Sequence, residues 1–380
     1  MERGEAAIAH AEADHVERVA AQRGRGLRLL RGRAMQHWRL RKLRQATQPP
    51  CQGCGPDHGG RPARGVANMA AACPFARQAS RQFRRRAARA MVDAMPRDTP
   101  SLPGRHQRAD GAFDLVFGTA PRGPSGQVTV LRHLYQQSPL RILFPTPEPG
   151  EPPTAALLNC AGGLAGGDAL RQAVRLEAGA RATLSTAAAE KLYRSLGPGT
   201  RIDSRIVLDQ GAVLEWIPQE TILFDGARLD RRLRADLAPG AMLLAAETLV
   251  FGRAARGERM TQGLVRDRWR LHGPQGLLWA DALALEGDLG AALQAPFGFA
   301  GAEALGTLLL AGGEAEAGRD LLRSLPEAAP GGATIPRPGL LLARWLGRAA
   351  DVRQAVGAAI LALRAAQLGL PARLPRLWTT

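Results

Sequence analysis

Two carboxylates of this chain lie inside strongly apolar stretches, an uncommon place for an ionisable side chain. Glu247 interrupts the run 242–251, and Asp281 interrupts the run 277–285. A carboxylate in such a strand tends to face the interior, where an unpaired charge is costly unless an arginine, water or a cation accompanies it. Carboxylates without histidine or cysteine would hold a divalent transition metal loosely, which suits transfer better than storage.

A third carboxylate, Asp168, ends the glycine-rich run Gly-Gly-Leu-Ala-Gly-Gly-Asp at 162–168. This run does not match the Gly-x-Gly-x-x-Gly pattern of dinucleotide-binding loops, and it leads into a predicted strand rather than a helix. A tight turn or bulge explains its glycines. That explanation gives Asp168 no role, so we keep it as a candidate site residue.

The remaining inventory argues against an enzyme. The sequence contains no Gly-x4-Gly-Lys-Ser/Thr loop, no Gly-x-Ser-x-Gly elbow and no His-Glu-x-x-His motif. From residue 113 onward, His133, His272 and Cys160 are the only histidines and cysteine. These side chains most often serve as bases, nucleophiles or tight metal ligands. We therefore predict a non-catalytic protein without a permanently bound cofactor.

The positive charge is concentrated at one end of the chain. The 380 residues carry a formal net charge of +17, but residues 1–110 hold 22 Lys and Arg against 9 Asp and Glu. Only Lys42 and Lys191 are lysines. This bias toward arginine is more typical of a GC-rich coding sequence than of a phosphate-binding surface, where both residues would serve. We predict no nucleic-acid partner, and a binder driven by the basic end is the alternative that this charge leaves open.

Residues 1–110 are predicted to be an arginine-rich, disordered extension, or sequence translated from a mis-assigned early start, with the working protein beginning near Met91 or Met95. A zinc site is a further possibility within this segment, although the ligand spacing departs from that of zinc fingers. Its candidate ligands are Cys51, Cys54, His58 and Cys73. The four cysteines of the chain and the absence of a long apolar stretch predict a soluble, cytoplasmic protein that does not contact membranes.

The elements that must position the carboxylates are mainly β-strands over 111–295 and a mixture of strands and helices over 296–380. Three segments share the form Leu-x-x-Gly-Ala, with leucines at 176, 208 and 237. Each is followed by an apolar run that ends near a glutamate: Glu190, Glu220 and Glu247. Repeats of about 30 residues favour a layered or solenoid-like stack of β-strands over the alternative, an ordinary β-sandwich. A hairpin with its turn at 273–276 and helices at 314–325 and 350–368 are also predicted.

At this point the motifs resemble a known family, the urease accessory protein UreD, also called UreH. The match is carried by Gly-Gly-Leu-Ala-Gly-Gly-Asp at 162–168, Glu-Lys-Leu-Tyr-Arg-Ser at 190–195, Leu-Glu-Trp-Ile-Pro-Gln-Glu at 214–220, Gln-Ser-Pro-Leu at 137–140, Phe-Gly-Arg at 251–253 and Leu-Pro-Arg-Leu-Trp at 374–378. These motifs span 113–380 in family order. The stretch 159–161 departs from the Pro-rich lead-in common in the family.

The resemblance implies a maturation factor that binds UreF and, through it, the GTPase UreG, and that docks on apo-urease so that nickel reaches its active site. It also implies an internal, acid-lined tunnel for transient nickel. The positions that correspond here are Asp168, Glu247 and Asp281, with Glu190 and Glu220 as additions. A β-solenoid that binds or cleaves polysaccharides is the alternative function, and it would need an exposed row of aromatic side chains.

Overall fold

The computed structural model describes residues 108–122 and 126–379. Almost all of the predicted arginine-rich extension lies outside these residues. So does the candidate zinc set of Cys51, Cys54, His58 and Cys73. Within the described part, no helix combines the length and apolar character needed to cross a membrane.

Two large β-sheets form the body of the described chain. The first sheet has seven strands, in spatial order β15 (Gly276–Asp288), β14 (Gln262–Gly273), β11 (Arg228–Leu237), β8 (Thr200–Leu208), β5 (Ala169–Leu176), β1 (Asp110–Arg122) and β2 (Gly126–Gln137). The main path of the second sheet is β17 (Gly331–Arg337), β18 (Leu340–Gly347), β16 (Ala304–Ala311), β12 (Met242–Arg253), β9 (Val213–Trp216), β6 (Arg181–Thr186), β4 (Thr154–Asn159) and β3 (Leu140–Leu143). The short strands β7 (Glu190–Leu192), β10 (Thr221–Leu223) and β13 (Glu258–Arg259) join its side.

The sequence repeats are stacked coils of a β-solenoid. Leu176 lies directly beside Leu208, and Leu208 lies beside Leu237, in parallel pairing across β5, β8 and β11. The glycine three residues after each leucine has a φ between +66° and +70°, a conformation that a Cβ atom disfavours. At each of these turns the chain passes from the first sheet to the second, so the flanking strands do not pair with each other. The layered interpretation is confirmed.

The predicted C-terminal elements are also present. Strands β14 and β15 form the expected antiparallel hairpin. Helices α2 (Ala315–Ser324) and α3 (Ala349–Leu368) confirm the two predicted helices, and a short helix α1 (Leu289–Gln294) follows the hairpin. Short 3₁₀ turns occur at Ala254–Arg256 and Arg376–Trp378.

Two apolar layers hold these elements together. The first lies between the two sheets, and the second lies between the outer face of the second sheet and helices α2 and α3. Strand β12 contributes to both: Leu243, Ala245 and Leu249 face the first layer, whereas Leu244 and Ala246 face the second. Burial on both faces explains why its sequence is almost continuously apolar.

Candidate functional site

Glu247 is buried on the face of β12 that points between the two sheets. Its side chain is about 5% exposed. Trp216 Nε1 donates a hydrogen bond of 3.2 Å to Glu247 Oε1, and Arg231 Nη2 lies 2.8 Å from Glu247 Oε2. The sequence therefore correctly predicts an inward carboxylate, and the structure supplies an arginine partner for it.

Arg231 forms ion pairs with residues of both sheets. It lies on β11 of the first sheet, and its Nε and Nη2 donate to the two carboxylate oxygens of Asp267 at 2.9 and 2.7 Å. Such a two-pronged contact fixes the plane of the guanidinium. Arg231 thus joins Glu247 of the second sheet to Asp267 of the first.

Asp281 extends this arrangement toward solvent. Asp281 is on β15 and lies opposite Trp269 of β14. It is therefore a diagonal neighbour of Asp267 on the inner face of the first sheet. Its partner is Arg344 of β18, which forms an ion pair with it across the gap between the sheets. Arg344 and Glu247 lie on either side of Thr307 in the second sheet, because Thr307 is the cross-strand neighbour of both residues.

These five residues form what we name the charged row: Glu247, Arg231, Asp267, Asp281 and Arg344. Exposure of its carboxylates increases along the row, from about 5% at Glu247 to 11% at Asp267 and 30% at Asp281. Arg231 pairs with both Glu247 and Asp267, and Arg344 pairs with Asp281, so two guanidiniums offset most of the charge of three carboxylates in a poorly solvated place. The row thus consists of a buried triad, Glu247, Arg231 and Asp267, and a more exposed pair, Asp281 and Arg344, that lies beside it in the strand register.

The protonation of Glu247 is sensitive to this environment. Burial raises the pKa of Glu247 to about 7, and the nearby Asp267 acts in the same direction, while Arg231 acts against both. The raised pKa favours the protonated form of this buried carboxyl group. A divalent cation that bound Glu247 would compete with this proton and with Arg231 for the carboxylate oxygens.

The carboxylate of Asp168 contacts two backbone N–H groups and not a member of the charged row. It is buried, its Oδ1 accepts a hydrogen bond of 2.9 Å from the Ala109 backbone N–H, and its Oδ2 accepts one of 2.7 Å from that of Ala165. These contacts fasten the glycine-rich loop to the first strand. Passage of nickel at Asp168 stays a prediction.

Glu190 and Glu220 are close to each other but do not join the charged row. The Glu190 backbone N–H donates to the Glu220 carbonyl at 2.8 Å. Burial raises the pKa of the Glu190 carboxyl, against hydrogen bonds from Asn159 Nδ2, and Glu220 forms an ion pair with Arg353 of α3. The three glutamates that end the sequence repeats are out of register, because Glu190 pairs with Thr221 and not with Glu220.

Sequence reasoning missed Asp267 and Arg231. The available signal for Asp267 was its alternation with Val265 and Trp269, which resembles the setting of Asp281 in the next strand. Arg231 sits in a strand in which arginines also alternate on the outer face, so its inward direction was hidden.

A second buried ion cluster was also missed. Arg364 of α3 is fully buried, and its Nε donates to Glu215 Oε1 at 2.6 Å. Arg364 also pairs with Glu151, which Arg373 Nε contacts at 3.1 Å from the other side. Thr183 Oγ1 donates to Glu215 Oε2 at 2.5 Å. This cluster anchors α3 to the second sheet.

The geometry holds no compact metal centre in the described part of the chain, where no three His, Cys, Asp or Glu side chains converge to enclose an ion. Glu247 and Asp267 share one guanidinium instead. The charged row can therefore offer a cation one or two carboxylates at a time, with water as the other ligands.

Comparison with known proteins gives one consistent result. Residues 109–379 match the family model described as UreD urease accessory protein. A protein of Granulibacter bethesdensis named "Urease accessory protein UreD" is 52% identical over 238 residues, which cover 62% of this chain and 99% of that relative. A protein of the same name from Magnetococcus marinus is 45% identical over 65% of this chain and 88% of its own length. Another from Rhodopseudomonas palustris is 42% identical over 76% of this chain and 99% of its own length. The chain belongs to the UreD family of urease accessory proteins, and its role lies in urease maturation.

Proposed function

We propose that this chain is a non-catalytic scaffold and nickel conduit for urease. It assembles with UreF and with the GTPase UreG, docks on apo-urease, and passes nickel while UreG hydrolyses GTP. Membership of the UreD family supports the role in maturation, and the charged row supports the route. Nickel is cargo on this proposal, and the chain keeps no resident cofactor.

The observation that supports the conduit is the increase in side-chain exposure of the carboxylates along the charged row, from Glu247 to Asp281. A hydrated cation that reaches Asp281 meets a partly exposed carboxylate, and Asp267 and Glu247 follow at increasing depth. The three carboxylates share two guanidiniums, so the empty route carries a net charge of at most −1. The arginines occupy the positions of the cation, and nickel advances by displacing them.

The proposed order of residues differs from the one that the family resemblance implies. Asp281, Asp267 and Glu247 form the route, and Arg231 and Arg344 return to the carboxylates after the ion has passed. Asp168 serves the loop that it fastens, and Glu190 and Glu220 remain a separate candidate pair near the ends of the coils.

The test compares Glu247→Gln and Asp281→Asn with the control Glu316→Gln, which changes an exposed acid on α2. Each chain is mixed with UreF, UreG, apo-urease, GTP and nickel, and nickel per urease active site is measured together with urease activity. We expect both row variants to form the complex but to load urease several-fold more slowly than the control. Equal loading by all three variants would refute the conduit.

A second readout separates loading from assembly. Size-exclusion chromatography of the same mixtures reports whether the complex forms. Failure of the wild-type chain to support activation would count against the whole proposed function. Normal assembly with slow loading in the row variants alone would support the route through Glu247 and Asp281.

A further inference from the structure

Helices α2 and α3 cover the outer face of the second sheet, whereas none of the residues that the structure describes covers that of the first sheet. No described element packs against the outward side chains of β8, β11 and β14, which we name the outer arginine face. These three strands direct eight arginines and three aspartates outward. The face is therefore strongly positive, although it belongs to a part of the chain whose overall charge is close to balanced.

A row of three arginines marks the middle of this face. Arg205, Arg234 and Arg270 lie directly opposite one another on neighbouring strands, which are about 4.8 Å apart. Like charges in this position destabilise a sheet. Asp236 relieves part of the repulsion, with its Oδ1 at 2.9 Å from Arg234 Nη2 and its Oδ2 at 3.9 Å from Arg205 Nη2.

Arginines 228, 232, 266 and 268 of the face already form ion pairs with aspartate or glutamate side chains. Within the described part of the chain, two other arginines are free for a partner. Arg270 is exposed and has no ion pair among the described residues, and Arg201 on β8 shares this property. A shallow depression of about 320 Å³ lies between β8 and β11, lined by Arg205, Arg232 and Arg234 together with Asp203 and Ser204. Arginine is the predominant basic residue throughout this chain, so the placement of these arginines is informative and their residue type is not.

Small side chains on the neighbouring strand leave room for a partner. Exposed alanines of β15 stand directly opposite the β14 arginines at 270, 268 and 266: Ala280, Ala282 and Ala284. Alternate residues of a strand repeat at about 6.8 Å, which is also the spacing of alternate residues in an extended peptide. An extended segment lying over the alanines would place alternate carboxylates beside successive arginines.

We infer that the outer arginine face is a docking surface for a protein partner that presents carboxylates. Arginine pairs with carboxylates through two parallel hydrogen bonds, which suits this arrangement. Nucleic acid is a poorer fit, because Asp203, Asp230 and Asp236 lie among the arginines and would repel a polyphosphate, which is charged at every unit, more than a peptide with carboxylates at alternate residues. The inference rests on the proposed function only in the choice of partner proteins for the test.

The experiment uses the double variant R205A/R270A and the control R256A/R337A. The control also removes two exposed arginines, but from outside the face. Binding of a labelled peptide of alternating Glu and Ser is measured by fluorescence anisotropy at low and at physiological ionic strength. An alternating Lys-Ser peptide and a DNA duplex serve as comparison probes. Assembly with UreF, UreG and apo-urease is followed in parallel by chromatography.

We expect R205A/R270A to weaken binding of the acidic peptide at least about fivefold and to reduce assembly with a maturation partner, while R256A/R337A leaves both unchanged. Neither double variant should lower the thermal unfolding midpoint, because R256A/R337A removes two exposed side chains and R205A/R270A relieves like-charge repulsion. Equal peptide binding and equal assembly by the two double variants would overturn the inference. Tighter binding of DNA than of the acidic peptide would also overturn it. Loss of peptide binding by R205A/R270A would support the outer arginine face as a docking surface even if the wild-type chain failed to activate urease.

Discussion

Replacement of Arg364 by methionine should destabilise the fold far more than replacement of its neighbour Arg373. Methionine keeps most of the volume of the side chain but leaves Glu215 and Glu151 without their shared cation. Glu215 is about 1% exposed and Glu151 about 7%, so water cannot compensate either charge. Removal of one partner of a buried ion pair costs about 3–5 kcal/mol. We expect Arg364→Met to lower the free energy of unfolding by about that amount.

The matched control is Arg373→Met, because Arg373 contacts Glu151 but is 42% exposed. Its pair with Glu151 is partly solvated, and Arg364 continues to serve that carboxylate. Exposed pairs contribute about 0–1 kcal/mol. The variant Arg364→Met with Glu215→Gln should recover part of the loss, since it also removes one of the orphaned charges.

Reversible urea unfolding, followed by circular dichroism and tryptophan fluorescence, measures these differences. Coupling between residues 364 and 215 is obtained from a double-mutant cycle. The reasoning would be refuted if Arg364→Met lost no more stability than Arg373→Met. It would also fail if Glu215→Gln gave no recovery in the Arg364→Met background.

Two further predictions concern the candidate site. The pKa of Glu247 is raised to about 7 from 4.5, so its contribution to stability is present below about pH 4.5 and is lost as pH rises through about 7. The free energy of unfolding of Glu247→Gln relative to wild type should therefore rise by up to about 3 kcal/mol over this window, and a pH-independent difference in urea titrations would contradict the assignment. Asp168→Asn should cost about 1–2 kcal/mol, because an amide has one oxygen for the Ala109 and Ala165 N–H groups; unchanged urea unfolding would show that these contacts do not hold the loop.

The architecture was readable from local patterns. The Leu-x-x-Gly-Ala repeat predicts the stacked coils because each turn needs glycine at positive φ and each strand alternates with period two. The hairpin at β14 and β15 and the helices α2 and α3 follow from spacing within single segments of the chain. The inward direction of Glu247 follows from the apolar residues that flank it in the same strand.

The partners of the charged side chains could not be read in this way. Arg231 and Asp267 are 36 residues apart, Arg344 and Asp281 are 63 apart, and Arg364 and Glu215 are 149 apart. An arginine-rich chain offers many possible partners to each buried carboxylate, and only the packing of the two sheets and α3 selects among them. A strand pattern reports which face a residue occupies, because that depends on its immediate neighbours. The residue across the gap is set by how distant coils stack and by how the helix packs on the second sheet.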